Sequence, residues 1–477
     1  MFRIHHRHAR RRSVWAALAA VAAIPLGMPG SASADPGPDR AEMHTYTLPA
    51  GATAPSLTTL QRQGVNWKAA LPISAGASGQ APAEAVTPAG LHLRKASSPS
   101  GKVAGTGDLS PAAATYPEPS RTMTKNECKK GLQGGRLFAV KSRYAMCTGT
   151  QFVQTWAQRG RPVGQSTFTL WVIETVPKKA DRTVRVQYLF TDFHKSGSTK
   201  TSGLKVNTDG DVTTWPKAAK KKYGGKVPPT LSFDALKAKP EYTHTVLVQA
   251  GQGTGKDDVV QMAYEPFVQL SFPAPYTSPN TKRVSVGLLV GRWDAAAYLF
   301  NKTGGGDKKK IGGAALPLMV ELPYSSKAGA SERAVAVHLK DARSKPGVTK
   351  PVKAKKSVPG FDLNKPLHRL HHDTSRYRAN RRAAIATCVE HWGPDYATSA
   401  PGVSRECDEY PFASTYEGAA QHAKDSSKPK DNYSARPLAK ADNGAAGNIL
   451  KAFMDRNRIL DGFNGKEEVD GYLVTVS

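Results

Sequence analysis

The chain has 477 residues, of which 39% are hydrophobic and 8% aromatic, enough apolar material for a sizeable core and too much for wholesale disorder. Sixty-seven Lys+Arg against 38 Asp+Glu give a formal charge of +29, while four cysteines are too few for a disulfide-dense mini-protein. The only long uncharged apolar run lies near the N-terminus, which excludes a polytopic membrane protein, and 43 Gly with 34 Pro favour β-structure and linkers over a helical bundle.

Residues 1–34 read as a signal peptide: Arg3, Arg7, Arg10, Arg11 and Arg12 precede an apolar stretch over 14–28, and Ala32-Ser33-Ala34 offers a small-residue cleavage site. The expected product is secreted, with no transmembrane segment in the mature chain. Residues 35–120 are rich in Ala, Pro, Ser and Gly with zero net charge, and read as a low-complexity flexible stalk in which short pieces such as 67–71 dock. Residues 121–345 alternate apolar and polar side chains, as at Val184, Val186, Tyr188 and Phe190, and carry β-branched or aromatic runs at 167–176, 245–249, 259–263, 267–272, 284–290 and 334–338. Turn signals separate these runs, so an all-β sandwich or partly open barrel of roughly eight to ten strands is expected. Of the formal charge, +24 falls in residues 121–360, with lysines clustered at Lys217, Lys220, Lys221 and Lys222 and again at 308–310. A Lys/Pro linker is expected over 346–365. Residues 366–477 have no net charge and read as α+β, with helices over 376–392 and 443–457, the second capped by Asp442 or Asn443, and a strand over 472–476.

The cysteines fall in two pairs, Cys128 with Cys147 and Cys388 with Cys407, each inside one expected domain. Export permits disulfides and within-domain pairing is the natural arrangement, although four cysteines allow three pairings and no CxxC spacing suggests zinc. Residues 251–256 (GQGTGK) lack the first Gly and the Ser/Thr of a phosphate loop and read as a hairpin turn. Asn207, Asp209 and Asp211 alternate like a calcium loop, but Gly210 comes too early and no glutamate follows at the right distance, so an Asp-Gly turn between strands is expected. His368, His371, His372 and Asp373 offer metal-ligand chemistry, or form a solvated approach to the first helix.

Two C-terminal segments carry chemistry. In residues 405–418 the adjacent carboxylates Asp408 and Glu409 precede an aromatic-Pro-aromatic step, and neighbours on a strand point to opposite faces, so one can meet a reaction centre while the other props the backbone or reaches a metal. In residues 442–448 Asp442 and Asn443 stand at a helix start whose small residues allow close approach of a phosphate. Asp408-Glu409-Tyr410-Pro411-Phe412-Ala413, followed by Asp442-Asn443 and Gly447, resembles the secreted deoxyribonuclease family NucA/NucB over roughly the last 110 residues. The resemblance implies a ββα-metal-type nuclease domain at 366–477 that hydrolyses DNA phosphodiesters with a single divalent cation, Mg²⁺ or Mn²⁺. It implies that Asp408 activates water and that Glu409 and Asn443 order the metal. Where compact members carry an Arg after the motif Asn, this chain has Gly444, so one phosphate contact is either lost or supplied by Arg456 or Arg458. Compact members also place a Cys after the aromatic-Pro step, whereas here Cys407 precedes Asp408. The expectation is therefore a secreted metal-dependent DNA endonuclease with a basic β-domain for polyanion binding, through residues such as Lys220, Lys221 and Lys222. The polyanion is DNA or an anionic cell-wall polymer. The alternative is a non-catalytic, wall-polymer-binding surface protein with an inactive nuclease-like module.

Overall fold

Val184, Val186, Tyr188 and Phe190 are all buried on one face of a strand, as their alternation with polar residues requires. The computed structural model describes residues 41–71, 114–178, 182–278, 283–299, 312–399, 402–464 and 467–477; the expected signal peptide, much of the expected stalk and Lys308–Lys310 lie outside the described residues. The strands run β1 (Ala41–Pro49), β2 (Phe138–Ser142), β3 (Ala145–Gln158), β4 (Arg161–Thr175) and β5 (Thr183–Gly197). Next come β6 (Lys205–Trp215), β7 (Lys221–Gly225), β8 (Leu231–Ser232) and β9 (Glu241–Val248). β10 (Val260–Ser271), β11 (Val284–Ser285), β12 (Leu289–Trp293) and β13 (Ala314–Ala315) complete the region. One sheet has the order β1-β3-β4-β5-β9-β7 with β2 added on β3; the other has the order β13-β12-β10-β6-β8 with β11 on β10. Their inner faces share one core, in which Phe152, Phe168 and Val246 meet Val206, Met262 and Leu289, and the Tyr188 and Tyr264 hydroxyls lie 2.6 Å apart. This is a β-sandwich.

Three sequence expectations change here. Asp209-Gly210 is no turn but lies inside β6, where a Cβ on residue 210 would sit 2.3 Å from the Tyr264 hydroxyl; only glycine lets that strand pass the tyrosine pair. Residues 41–71 are not a flexible stalk. β1 pairs with β3 in register from Ala41↔Gln158 to Pro49↔Thr150, helix α1 (Leu57–Arg62) starts at the Ser56 cap, and Trp67 is buried with its Nε1 donating to the Gly160 carbonyl at 3.1 Å. Met43, Tyr46 and Leu48 supply the apolar burial that the surrounding composition conceals. Helices α2 (Lys125–Gly131) and α3 (Phe233–Ala238) complete the sandwich, and Cys128 of α2 is bonded to Cys147 of β3.

The third change concerns the boundary between the two expected domains. β14 (Val320–Tyr324) and helix α4 (Arg333–Ser344) precede β15 (Leu367–His368), α5 (Thr374–Trp392), β16 (Arg405–Tyr410), α6 (Gln421–Lys424), β17 (Ser434–Ala439) and α7 (Lys440–Arg456). β18 (Phe463–Asn464), β19 (Glu467–Glu468) and β20 (Gly471–Val476) end the chain. Residues 334–338, expected as a strand, are helical because Val335, His338, Leu339 and Ala342 are buried at three- and four-residue spacing. β14 pairs in parallel with β20, from Val320↔Tyr472 to Tyr324↔Val476, so the two strands join residues far apart in the chain. Residues 346–365 are likewise folded in: Lys356 donates to the carbonyls of Thr349, Pro351 and Tyr433, and the Gly360 carbonyl accepts from Val474. The C-terminal α+β region thus begins near residue 320 and includes the segment expected as a linker.

Buried ion pairs weld this region to the sandwich. Asp470 receives Arg143 at 2.9 Å and Arg292 at 2.6 Å, with all three side chains at most 2% exposed, and Arg458 pairs with Asp294. Burial opposes the charge of Asp470, but the two guanidiniums hold it below the usual carboxylate range. Residues 39–477 form one compact unit. Removing one partner of a buried ion cluster leaves the others uncompensated, so Asp470→Asn should lower the unfolding free energy by about 3–5 kcal/mol in urea denaturation. A change below about 1 kcal/mol would show that the cluster is not holding the two regions together.

Candidate active site

The site is built on the hairpin β16–β17 and the helix that follows it without a break. The pairing runs from Arg405↔Ala439 to Tyr410↔Ser434, with Asp408 opposite Arg436 and Glu409 opposite Ala435. Strand alternation sends Glu406, Asp408 and Tyr410 to one face and Cys407 and Glu409 to the other.

The Glu409 face packs on α5. Cys407 is disulfide-bonded to Cys388 of α5, and Arg381, two helical turns earlier, donates to the Cys407 carbonyl at 2.9 Å and to the Glu409 carboxylate. Glu409 is therefore a buried brace between strand and helix. Burial pushes its carboxyl up to about 8, opposed by the Arg381 charge and reinforced by the charge of Asp408.

The Asp408 face meets α4 and α7. Asn443 Nδ2 donates to Glu406 Oε2 at 2.9 Å, and Lys440 Nζ lies 3.7 Å from Glu406 Oε1. Asp408 Oδ2 lies 2.6 Å from His338 Nδ1, and the far side of that ring, Nε2, lies 2.7 Å from Ser434 Oγ. Asp442 does not cap α7, which starts at Lys440; its carboxylate instead accepts from the Ala334 backbone N–H in the first turn of α4. On the outer side of α7, a Cβ added at Gly444 or Gly447 would meet nothing within 4 Å, so the helix presents a bare strip beside Asn443.

The loop after β16 is held by a residue that the sequence did not single out. Asn380 is fully buried, donates to the carbonyls of Ala413 and Thr415 at 2.9 and 3.0 Å, and accepts from the Ala420 backbone at 3.0 Å. A lone Asn in a helix carries no sequence signal for this role. His368 receives the other end of that loop through Glu417 at 2.9 Å, while His372 pairs with Asp257 and His371 stacks on Tyr298 with ring centroids 3.6 Å apart. These histidines serve packing between segments, and among the described residues no group of three His, Cys, Asp or Glu side chains is arranged to hold a metal.

Two expected assignments do not survive this geometry. Glu409 and Asn443 are not brought together at one metal, because Glu409 faces α5 and is paired with Arg381. On the opposite face Asp408 and Glu406 stand two residues apart on β16, and Glu406 is bonded to the Asn443 amide; carboxylate and amide oxygens are the donor type that Mg²⁺ or Mn²⁺ prefers. Nor do Arg456 and Arg458 form a phosphate contact: Arg458 is buried on Asp294, and Arg456 is partly buried, donating to the Tyr116 carbonyl and lying 3.5 Å from Glu118. Lys440, whose side chain is 67% exposed, is a cation at the site, beside Glu406. Farther off, Lys217, Lys220 and Lys222 are exposed at the edge of the sandwich, and Lys221 is half-buried near Thr214.

Residues 362–464 match the family described as deoxyribonuclease NucA/NucB, the family that the Asp408 and Asn443 segments resemble. The match defines a nuclease-type module in the C-terminal region, covering β15 to β18. No curated protein and no solved structure matches the chain. The two disulfides fit an extracellular protein, and no helix among the described residues is long and apolar enough to cross a membrane.

The raised Glu409 carboxyl has a measurable consequence. Between its ordinary value of 4.5 and about 8, the folded state keeps a proton that the unfolded chain has released, so stability falls as pH rises through that window. Glu409→Gln removes this titration. Thermal midpoints of wild type and variant should diverge in the variant's favour from about pH 5 to about pH 8, and parallel profiles would contradict the assignment.

Proposed function

We propose that the protein is a secreted DNA endonuclease whose water-activating base is Asp408. The observation that carries this reading is that Asp408 and Glu406 share one face of β16, with Glu406 bonded to Asn443 of the following helix, inside the segment that matches the deoxyribonuclease family. Phosphodiester hydrolysis needs a base to take a proton from water as it attacks phosphorus, and an ionised carboxylate in a partly dry site serves that step. The bare strip at Gly444 and Gly447 lets a DNA backbone approach α7 closely, and Lys440 supplies a positive charge beside it. A divalent cation held by Glu406 and Asn443 would supply charge stabilisation at the scissile phosphate. Glu409 acts at one remove, by fixing β16 to α5 through Arg381 and so setting the angle of the strand that carries Asp408.

The sandwich fits a supporting role in holding the polyanion. Lys217, Lys220 and Lys222 project from one edge, and cations arranged in this way bind phosphates without regard to sequence. A second reading is favoured by one observation: Asp408 is only 5% exposed. In that reading the module keeps the nuclease fold and binds DNA without cutting it.

Nicking of supercoiled plasmid by the purified full chain separates the two. Cleavage should require Mg²⁺ or Mn²⁺ and stop in EDTA. Asp408→Asn should lower the rate by about 10²-fold or more while the thermal midpoint and DNA affinity hold. Asn443→Ala or Glu406→Gln should raise the metal concentration needed for half-maximal rate. A wild-type protein that binds DNA but never nicks it supports the second reading, and an Asp408→Asn variant as active as wild type removes Asp408 from the mechanism. For the lysines, changing Lys217, Lys220 and Lys222 together to Gln should flatten the log–log dependence of duplex affinity on salt by up to about 0.9 for each phosphate that is no longer neutralised. An unchanged slope places the DNA elsewhere.

A further inference from the structure

We propose that His338, which lies outside the segment matching the nuclease family, is a positioning residue that holds the Asp408 carboxylate in its working orientation. The proposal rests on Asp408 being the base.

His338 is the one polar residue on the buried face of α4, alongside Val335, Ala336, Leu339 and Ala342. An imidazole in such a setting is costly unless its nitrogens are satisfied. Both are: Nδ1 lies 2.6 Å from Asp408 Oδ2 and Nε2 lies 2.7 Å from Ser434 Oγ, with His338 and Ser434 fully buried. A carboxylate only accepts, so the hydrogen-bond pattern puts a proton on Nδ1, while the Ser434 hydroxyl, which can donate or accept, partners Nε2. The resulting chain from Ser434 through His338 to Asp408 occupies Oδ2 and fixes the carboxylate plane, which leaves Oδ1 to take the proton from water.

The ring has little freedom to leave this place. One turn before it, the Ala334 N–H is held by Asp442 at 3.0 Å, and three residues after it, Asp341 receives Arg436 at 2.9 Å. Asp442 belongs to α7 and Arg436 to β17, directly across the hairpin from Asp408. The hairpin and helix that carry the site therefore also clamp α4 on both sides of His338. Ser434, at the far end of the chain, is on β17 as well. A helix that only filled space above the hairpin would need an apolar residue at 338 and none of these three polar ties.

The test uses the full chain with Mg²⁺ and compares wild type, Asp408→Asn, His338→Ala, His338→Asn and Ser434→Ala in plasmid cleavage, DNA affinity and thermal unfolding. His338→Ala should lower kcat about 10–100-fold, the range for losing a partner that orients a working group, with KM for DNA within about twofold. His338→Asn places an amide N–H close to the Nδ1 position and should recover most of that loss, which a purely structural role for the ring does not require. Should His338→Ala fail to fold, Ser434→Ala carries the test, with an expected fall in kcat of a few-fold as the ring loses its outer tie. If Asp408→Asn is inactive but His338→Ala and Ser434→Ala cut at the wild-type rate, the positioning role fails and the base assignment stands. A His338→Ala variant faster than wild type also overturns the proposal, since α4 would then be covering the site. Wild-type protein that does not cut, or an active Asp408→Asn, overturns the base assignment and the proposal together.

Discussion

Asp470, buried between Arg143 and Arg292, is the constraint on which the rest of the architecture depends. A charge out of water is tolerated only where its partners are fixed in place, so such a cluster admits one arrangement of the segments that carry it. Here those segments are the β2–β3 turn, strand β12 and the residues just before β20. Asp470 also accepts the Leu460 backbone N–H at 2.9 Å, and Arg292 donates to the Arg458 carbonyl at 2.7 Å, which fixes the chain leaving α7. The cluster thereby places β20, and β20 places its parallel partner β14.

From β14 the consequence passes to the site. α4 follows β14 after eight residues, and its clamped face brings His338 onto Asp408. Tyr324, the last residue of β14, donates to the Ala446 carbonyl within α7 at 2.9 Å, so the strand and the helix bearing Asn443 are tied directly. An α+β module that began at residue 366 would lack β14, α4 and everything they position. The matched segment is thus shorter than the unit that must fold for its carboxylates to be oriented.

How much of this could be read in the sequence follows from how local each cause is. Helix α5 and strand β20 were legible to within two residues at either end, β20 through its own alternation and α5 through Ala384 and Cys388 on one face, although Ile385, expected beside them, is exposed. Asp408 and Glu409 facing opposite ways was also legible, since strand geometry alone dictates it. Which way each one faced was not: that depends on Cys388 drawing α5 to the Cys407 side, and two other pairings were open. β1 was hidden in Ala- and Pro-rich surroundings because its stability comes from the edge of β3, more than 90 residues away. Residues 334–338 looked like a strand because five residues are too few to separate a period of two from one of 3.6. His338 had no signal of its own, since its partners lie 70 and 96 positions downstream.

Charge shows the same division between what a count can and cannot carry. The +24 of residues 121–360 includes Arg143 and Arg292, which are buried against Asp470, a carboxylate that cancels one of their two charges, and are not presented to solvent. Arg283 is held on the surface by Asp209 and Asp211. In the other direction, residues 361–477 sum to zero, yet Arg458 and Asp470 are consumed in buried pairs with the sandwich while Lys440 stands exposed beside the candidate site. What a polyanion meets is the set of cations left over after folding has used the rest. Basic residues that the fold has not used, such as Lys217, Lys220, Lys222 and Lys440, are therefore a better guide to where DNA would lie than the formal charge of either region.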